Sequence, residues 1–118
     1  MKEGRLCRES DGLCLVPKVW RAAGAWERMR GLLGHPPLTP GEGMLIERCG
    51  LIHTLGMGYA IDLAFLDRDG RVRKTVPGVA PARMAGSLGA SMTLELAAGG
   101  LAASGLQAGD RLVWREAA

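Results

Sequence analysis

Apolar residues recur along this chain in short runs, each closed by glycine, proline or an Asp-Gly pair, and most runs are too short for a helix. Such punctuation predicts strands. Residues 60–66 read as a strand with two mainly apolar faces, Ile61, Leu63 and Phe65 on one and Ala64 and Leu66 on the other. Asp67-Arg68-Asp69-Gly70 predicts a hairpin turn, and residues 71–76 the return strand, where Arg71, Arg73 and Lys74 suit a solvated outer position that resists edge pairing. Residues 91–96 alternate more cleanly: Met92, Leu94 and Leu96 face inward, and Thr93 and Glu95 lie opposite, with Glu95 expected to reach solvent from a one-sided sheet. Residues 13–20 form a strand interrupted by Pro17, which predicts an edge or a bulged strand paired with residues 5–8. A short turn or helix near 101–105, a Gly109-Asp110 turn and a last strand at 111–114 complete the pattern.

Only residues 25–33 show convincing helical spacing. Trp26, Met29, Leu32 and Leu33 fall on one face, expected to be core contact, and Glu27, Arg28 and Arg30 on the other. Gly24 is the expected N-cap, with Glu27 in the third position, and Gly34 the expected stop. Pro36, Pro37, Pro40, Gly41 and Gly43 then enforce a rigid, non-helical loop before the short apolar run Met44-Leu45-Ile46. About seven strands and one helix predict a mainly β fold, a small antiparallel sandwich or partly closed barrel with the helix packed on one side; an α+β layer is the alternative.

With 118 residues, the chain suits a single domain over 1–118, large enough to bury a core without staples. Its net charge of +3 comes from arginines scattered among acidic residues, and the basic return strand lacks the interleaved aromatics of a nucleic-acid groove, so composition argues against a nucleic-acid partner. No membrane span and no secretory segment are expected, which makes the cytoplasm the default address. Three cysteines, an odd number, argue against a disulfide framework and fit a reducing compartment. Cys7 and Cys14 would face each other across a four-residue hairpin loop, whereas a two-residue Asp-Gly turn would pair Cys14 with Glu9; either way they read as small apolar fillers.

The chemistry-bearing types gather in one window, Cys49-Gly-Leu-Ile-His53-Thr54-Leu-Gly-Met57, followed at once by Asp62. Cys49, His53 and Met57 are the soft donors that Cu(I) prefers, although a spacing of four brings two ligands together only on a helix or a tight loop, and Gly50, Gly56 and Gly58 oppose a regular helix. Cys49, His53 and Asp62 could instead form a nucleophile, a base and an orienting acid. The bland alternative is a structural histidine, with Thr54 tying down a neighbouring carbonyl or amide. Asp62 and Glu95 are carboxylates inside segments that otherwise read as core strand, and a buried carboxylate requires donors or an opening to water. His53, Arg48, Arg83 and backbone amides are the candidate partners; facing one cleft, the two acids could act as an acid/base pair or bind a cationic or hydroxylated ligand. There is no GxGxxG, Walker, GxSxG or HExxH motif, so the common nucleotide, hydrolase and zinc-protease readings have no support.

Four segments in order, Trp26-Glu-Arg-Met-Arg-Gly-Leu-Leu-Gly34, Cys49-Gly-Leu-Ile-His-Thr-Leu-Gly-Met57, Ile61-Asp-Leu-Ala-Phe-Leu-Asp67 and Leu94-Glu-Leu-Ala-Ala-Gly99, resemble the prokaryotic domain of unknown function family 192 over nearly the whole chain. The resemblance implies a compact, mainly β domain of sandwich type and implies no activity. Family members commonly read Cys-Asn-Ser-Ile-His-Thr in the second segment, so Gly50 and Leu51 depart from the pattern and remove two polar side chains there. Three functions from different classes follow. The preferred one is a small cytoplasmic module that binds a small molecule or peptide in a pocket around His53, Thr54, Met57, Asp62 and Glu95. The others are an enzyme or soft-metal site using Cys49, His53 and Asp62, and a purely structural protein. No cofactor and no oligomeric state can be read from the residues.

Overall fold

The strand predicted to be apolar on both faces is buried at all six positions, Ile61–Leu66, so the computed structural model has covering layers on each side of it. Residues 1–33 and 35–117 are described, Arg30 by its backbone. In chain order the elements are β1 (Lys2–Arg8), β2 (Cys14–Ala22), α1 (Ala25–Arg30), β3 (Glu42–Glu47), β4 (Leu51–His53), β5 (Ile61–Leu66), β6 (Val72–Val79), β7 (Met84–Gly86), β8 (Met92–Ala97), α2 (Gly100–Ser104) and β9 (Leu112–Glu116). Seven strands form one sheet in the order β6-β5-β8-β3-β2-β1-β9, and β4 pairs with β7 in a separate two-stranded sheet. The fold is thus mainly β, with nine strands and two short helices among the described residues.

One pair departs from the antiparallel expectation: β2 and β3 run parallel, Lys18 opposite Glu42 through Ala22 opposite Ile46. Parallel neighbours need a crossover, and the connection that carries α1 and the proline-rich loop provides it. The sheet stays open, its edge strands meeting through a single bridge between Arg71 and Arg111. Pro17 lies in a bulge: Leu6 pairs with Val16 and Gly4 with Val19, so Pro17 and Lys18 together oppose Arg5. Of the two roles expected for this strand, the bulge is realised and the edge is not, because β2 sits between β1 and β3. Cys7 pairs with Cys14 across the four-residue loop, and both thiols are free.

Each face of the large sheet carries its own core. On one, Leu6, Val16, Leu45, Leu66, Leu94 and Leu96 pack with Leu101 of α2 and Leu106. On the other, Met44, Ile46, Ile61, Leu63 and Phe65 pack beneath Leu32, Leu38 and Ile52 of β4. The alternation of a strand sends residues i and i+2 to one face, which is why Asp62 belongs to the first core and its neighbours Ile61 and Leu63 to the second.

The helix is shorter than predicted, and its apolar stripe is not core contact. It ends at Arg30 because Gly31 adopts φ 53°, ψ −127°, a conformation that strongly favours glycine. Trp26 and Met29 are 67% and 73% exposed, and of the stripe only Leu32, beyond the helix end, is buried. The Glu27 carboxylate accepts the Gly24 N–H at 3.2 Å, as the capping reading expected. The expected stop at Gly34 lies outside the described residues. Arg28 fastens α1 to the end of β3, its Nε donating to the Glu47 carbonyl at 2.7 Å and Nη2 to the Arg48 carbonyl at 3.1 Å.

Candidate functional site

Fastening α1 over the end of β3 leaves a cleft between the chain at 28–33 and the segment that leads into β4. Its walls are mainly apolar, with Leu32, Ile46, Ile52, Met57 and Ile61 contributing, and Cys49, His53 and Glu95 join them. The cleft holds about 100 Å³, space for a side-chain-sized group and well below the roughly 300–1,000 Å³ of sites that take drug-sized ligands.

Glu95 is the group that most needs explanation. Its strand is covered on both faces, so the residue opposite Leu63 on β5 and Met44 on β3 is buried rather than solvated, with 5% of its surface exposed. The expectation of a one-sided sheet fails at this position, since β4 and the turn after α1 cover it. Among the described residues no hydrogen-bond donor and no cation pairs with its carboxyl. Burial without compensation pushes its pKa up to about 7. The phenol of Tyr59 is also pushed up, first by burial and then by the charge of Glu95. Gly31 passes close by: a Cβ there would lie 3.7 Å from Glu95 Oε1.

Asp62 occupies the opposite face. It pairs with Leu96, one residue from Glu95, and the pleat therefore turns the two carboxylates to different sides of the sheet. Its Oδ1 accepts the Gly78 N–H at 2.8 Å, and its Oδ2 accepts the N–H groups of Gly99 at 3.1 Å and Leu101 at 3.0 Å. The partners are the backbone amides foreseen as one possibility, and they tie β6 and the start of α2 to β5. The acid/base pair of Asp62 with Glu95 is not formed, and Asp62 does not line the cleft with His53.

Thr54 is likewise occupied by the backbone. Its hydroxyl donates to the Ala80 carbonyl at 2.8 Å and accepts the Arg83 N–H at 2.8 Å, locking the turn before β7. His53 is exposed on β4 opposite Met84. Cys49 is half-buried, its thiol donating to the Leu51 carbonyl at 3.2 Å, while Thr93 Oγ1 donates to the Cys49 carbonyl at 2.8 Å. Cys49, His53, Met57 and Glu95 thus line one cleft, and Thr54 and Asp62 are held elsewhere. Among the described residues no three His, Cys, Asp or Glu side chains are placed to hold a metal ion.

Sequence reasoning missed the share of the cleft built by α1 and its turn, since Met29, Gly31 and Leu33 were assigned to a longer helix packed on the core. A signal for Glu95 was present. A central strand apolar on both faces requires cover on both sides of the sheet, and the polar parity of the neighbouring strand then has to be buried. The family departures also have a local cause at one position: a Cβ on Gly50 would lie 2.7 Å from the Ala90 carbonyl oxygen, so this backbone leaves no room for a larger residue. Leu51, the second departure, is exposed at the cleft.

The chain is similar to two solved structures. One is a candidate transcription regulator from Sinorhizobium meliloti 1021, 26% identical, with a TM-score of 0.80 over 96% of this chain and 92% of that one. The other is a protein of unknown function from Novosphingobium aromaticivorans DSM 12444, 20% identical, with a TM-score of 0.75 over 95% of this chain and 84% of that one, a likeness of fold. Among curated proteins none matches. The family model DUF192, described as "Uncharacterized ACR", matches residues 7–114, and no helix among the described residues is long and apolar enough to cross a membrane. Spanning both cores and the cleft, that match shows that the chain belongs to the DUF192 family.

Proposed function

We propose that this protein is a small cytoplasmic binding module, a single domain over residues 1–118, whose site is the cleft floored by Glu95 rather than a pocket shared by His53 and Asp62. The observation that carries the reading is the pairing of an apolar cleft with one buried, unpartnered carboxyl. Binding sites are mostly apolar with a few placed polar groups, and the Glu95 carboxyl faces the cleft with no donor among the described residues, free to take one from a ligand. The volume limits the occupant to a side-chain-sized group, either a small molecule or one residue of a peptide. Three free cysteines support a reducing compartment.

An enzymatic reading on Cys49, His53 and Asp62 loses its third member, because the Asp62 carboxylate is committed to three backbone amides on the far face. Transcription regulation, the role suggested for the Sinorhizobium protein, is compatible with a ligand-sensing module.

The reading is tested by adding side-chain-sized fragments to ¹⁵N-labelled protein and following amide shifts. Saturable shifts confined to Gly31, Leu32, residues 49–53 and Glu95 are the expected result. Shifts that cluster around Asp62 and α2, or none with any fragment, would overturn it.

A further inference from the structure

The floor of the cleft specifies more than the presence of a ligand. Glu95 offers two acceptor oxygens and no donor reaches them among the described residues, while Leu32, Ile46, Ile52 and Ile61 give the cleft an aliphatic wall beside Arg28, Cys49 and His53. We propose that the cleft receives an aliphatic primary ammonium group, the nitrogen seated on the Glu95 carboxylate and the alkyl chain along Leu32, Ile46, Ile52 and Ile61. This rests on the reading of the cleft as the binding site and adds the chemical class of its occupant.

Charge and shape both select this class. A carboxylate repels anions, and a neutral hydroxyl supplies one hydrogen bond without compensating the buried charge. An ammonium brings three donors and the opposite charge, and the interaction gains strength where water is excluded. A guanidinium is a planar fork that favours bidentate pairing, whereas an ammonium is a compact charge on a slender, flexible stem, the better match to a cleft of about 100 Å³. Among the described residues Arg28 is the Lys or Arg side chain that lines the cleft, and it does not supply this charge itself, because its guanidinium is held on the carbonyls of Glu47 and Arg48. A free alkylamine and the lysine side chain of a peptide present the same group.

Proton balance follows from the burial. Where Glu95 is protonated, R–NH₃⁺ displaces the carboxyl proton to solvent and forms the carboxylate–ammonium pair, so one proton is released per ligand bound. Affinity for the amine therefore rises with pH up to about 7, by as much as ~tenfold per unit below that value, and levels off above it. Among the described residues the other titratable groups lining the cleft are Arg28 of α1 and Cys49 and His53 of the segment entering β4, with Tyr59 coupled to Glu95 by charge; β3 and β5 present Ile46 and Ile61. Because an imidazole lines the same cleft, a His53→Gln variant separates its contribution from that of Glu95.

The test titrates full-length protein with n-butylamine, n-butanol and N-acetyl-lysine methylamide between pH 5.5 and 8, reading amide shifts of Gly31, Ile52 and Glu95. The expected result is saturable amine binding that strengthens roughly tenfold from pH 5.5 to 7, keeps this slope in His53→Gln and weakens at least tenfold in Glu95→Gln, with butanol indifferent to pH and to Glu95→Gln. A native-like ¹⁵N spectrum of Glu95→Gln confirms that it folds. Binding by the lysine amide as tight as by n-butylamine identifies a peptide source, and binding by the free amine alone a small metabolite; both support the ammonium. Butanol binding with the amine excluded, or amine binding untouched by Glu95→Gln, overturns the ammonium while leaving the cleft as a site. Absence of binding by all three probes overturns the ammonium and the cleft together.

Discussion

Asp62 and Glu95 sit on neighbouring strands, one residue apart in register, and are 2% and 5% exposed, yet they are treated in opposite ways. Asp62 receives three backbone N–H groups and joins β6, β5 and α2. Glu95 receives no donor among the described residues and looks into a cleft. On the proposed reading the contrast separates stability from binding within one sheet: the Asp62 carboxylate is closed by backbone amides, and the Glu95 carboxyl opens into the cleft.

The largest effect should come from removing the satisfied member. Asp62→Ala strands three N–H groups, and urea unfolding should show a loss of about 3–5 kcal/mol, with no change in amine affinity if the variant remains folded. A loss under about 1 kcal/mol would break the contrast, since a structural carboxylate cannot be that dispensable.

Next is the pH dependence that Glu95 confers. Its folded pKa of about 7 lies above the ordinary 4.5, so between these values the folded state holds the extra proton. Stability tied to this group is therefore full below about pH 4.5 and falls as pH rises toward 7, by about 3 kcal/mol in all. Urea midpoints taken across this range should fall in the wild type, after the contributions common to both proteins are subtracted, and flatten in Glu95→Gln. Amine at saturation should flatten the wild-type curve as well.

A smaller effect tests how the cleft is shaped. Gly31→Ala places a side chain where φ is 53°, and the strain should cost about 1–3 kcal/mol in chemical denaturation and weaken fragment binding through the displaced turn. Trp26→Ser marks the lower end. The residue is 67% exposed and packs in neither core, so its replacement should shift stability by less than about 0.5 kcal/mol.

Strand positions were legible because two-residue alternation, Pro17 and the glycine turns act locally. The double apolar face of the strand read at 60–66 appears over Ile61–Leu66, and of the alternatives left open the bulge at Pro17 and the Cys7–Cys14 pairing are the ones realised. What escaped depends on contacts distant in sequence. The parallel pairing of β2 with β3 is set by the crossover, and the helix stops where Gly31 turns rather than where its apolar spacing ends. At the candidate site, the window 49–57 pointed to Cys49, His53 and Met57, which do share the cleft, and to Thr54, which does not. Which acid would join them could not follow from proximity in sequence. Asp62 is closer along the chain, but the pleat sends it away, and Glu95 arrives from β8 because that strand lies beside β5.

The most direct measurement is a ¹³C NMR titration of the Glu95 side-chain carboxyl, with and without saturating n-butylamine. An unpaired carboxyl that awaits a cation should titrate with a midpoint near 7 in the free protein and move to lower pH when the amine is bound. A midpoint near the ordinary 4.5 that the amine leaves unmoved would contradict the account.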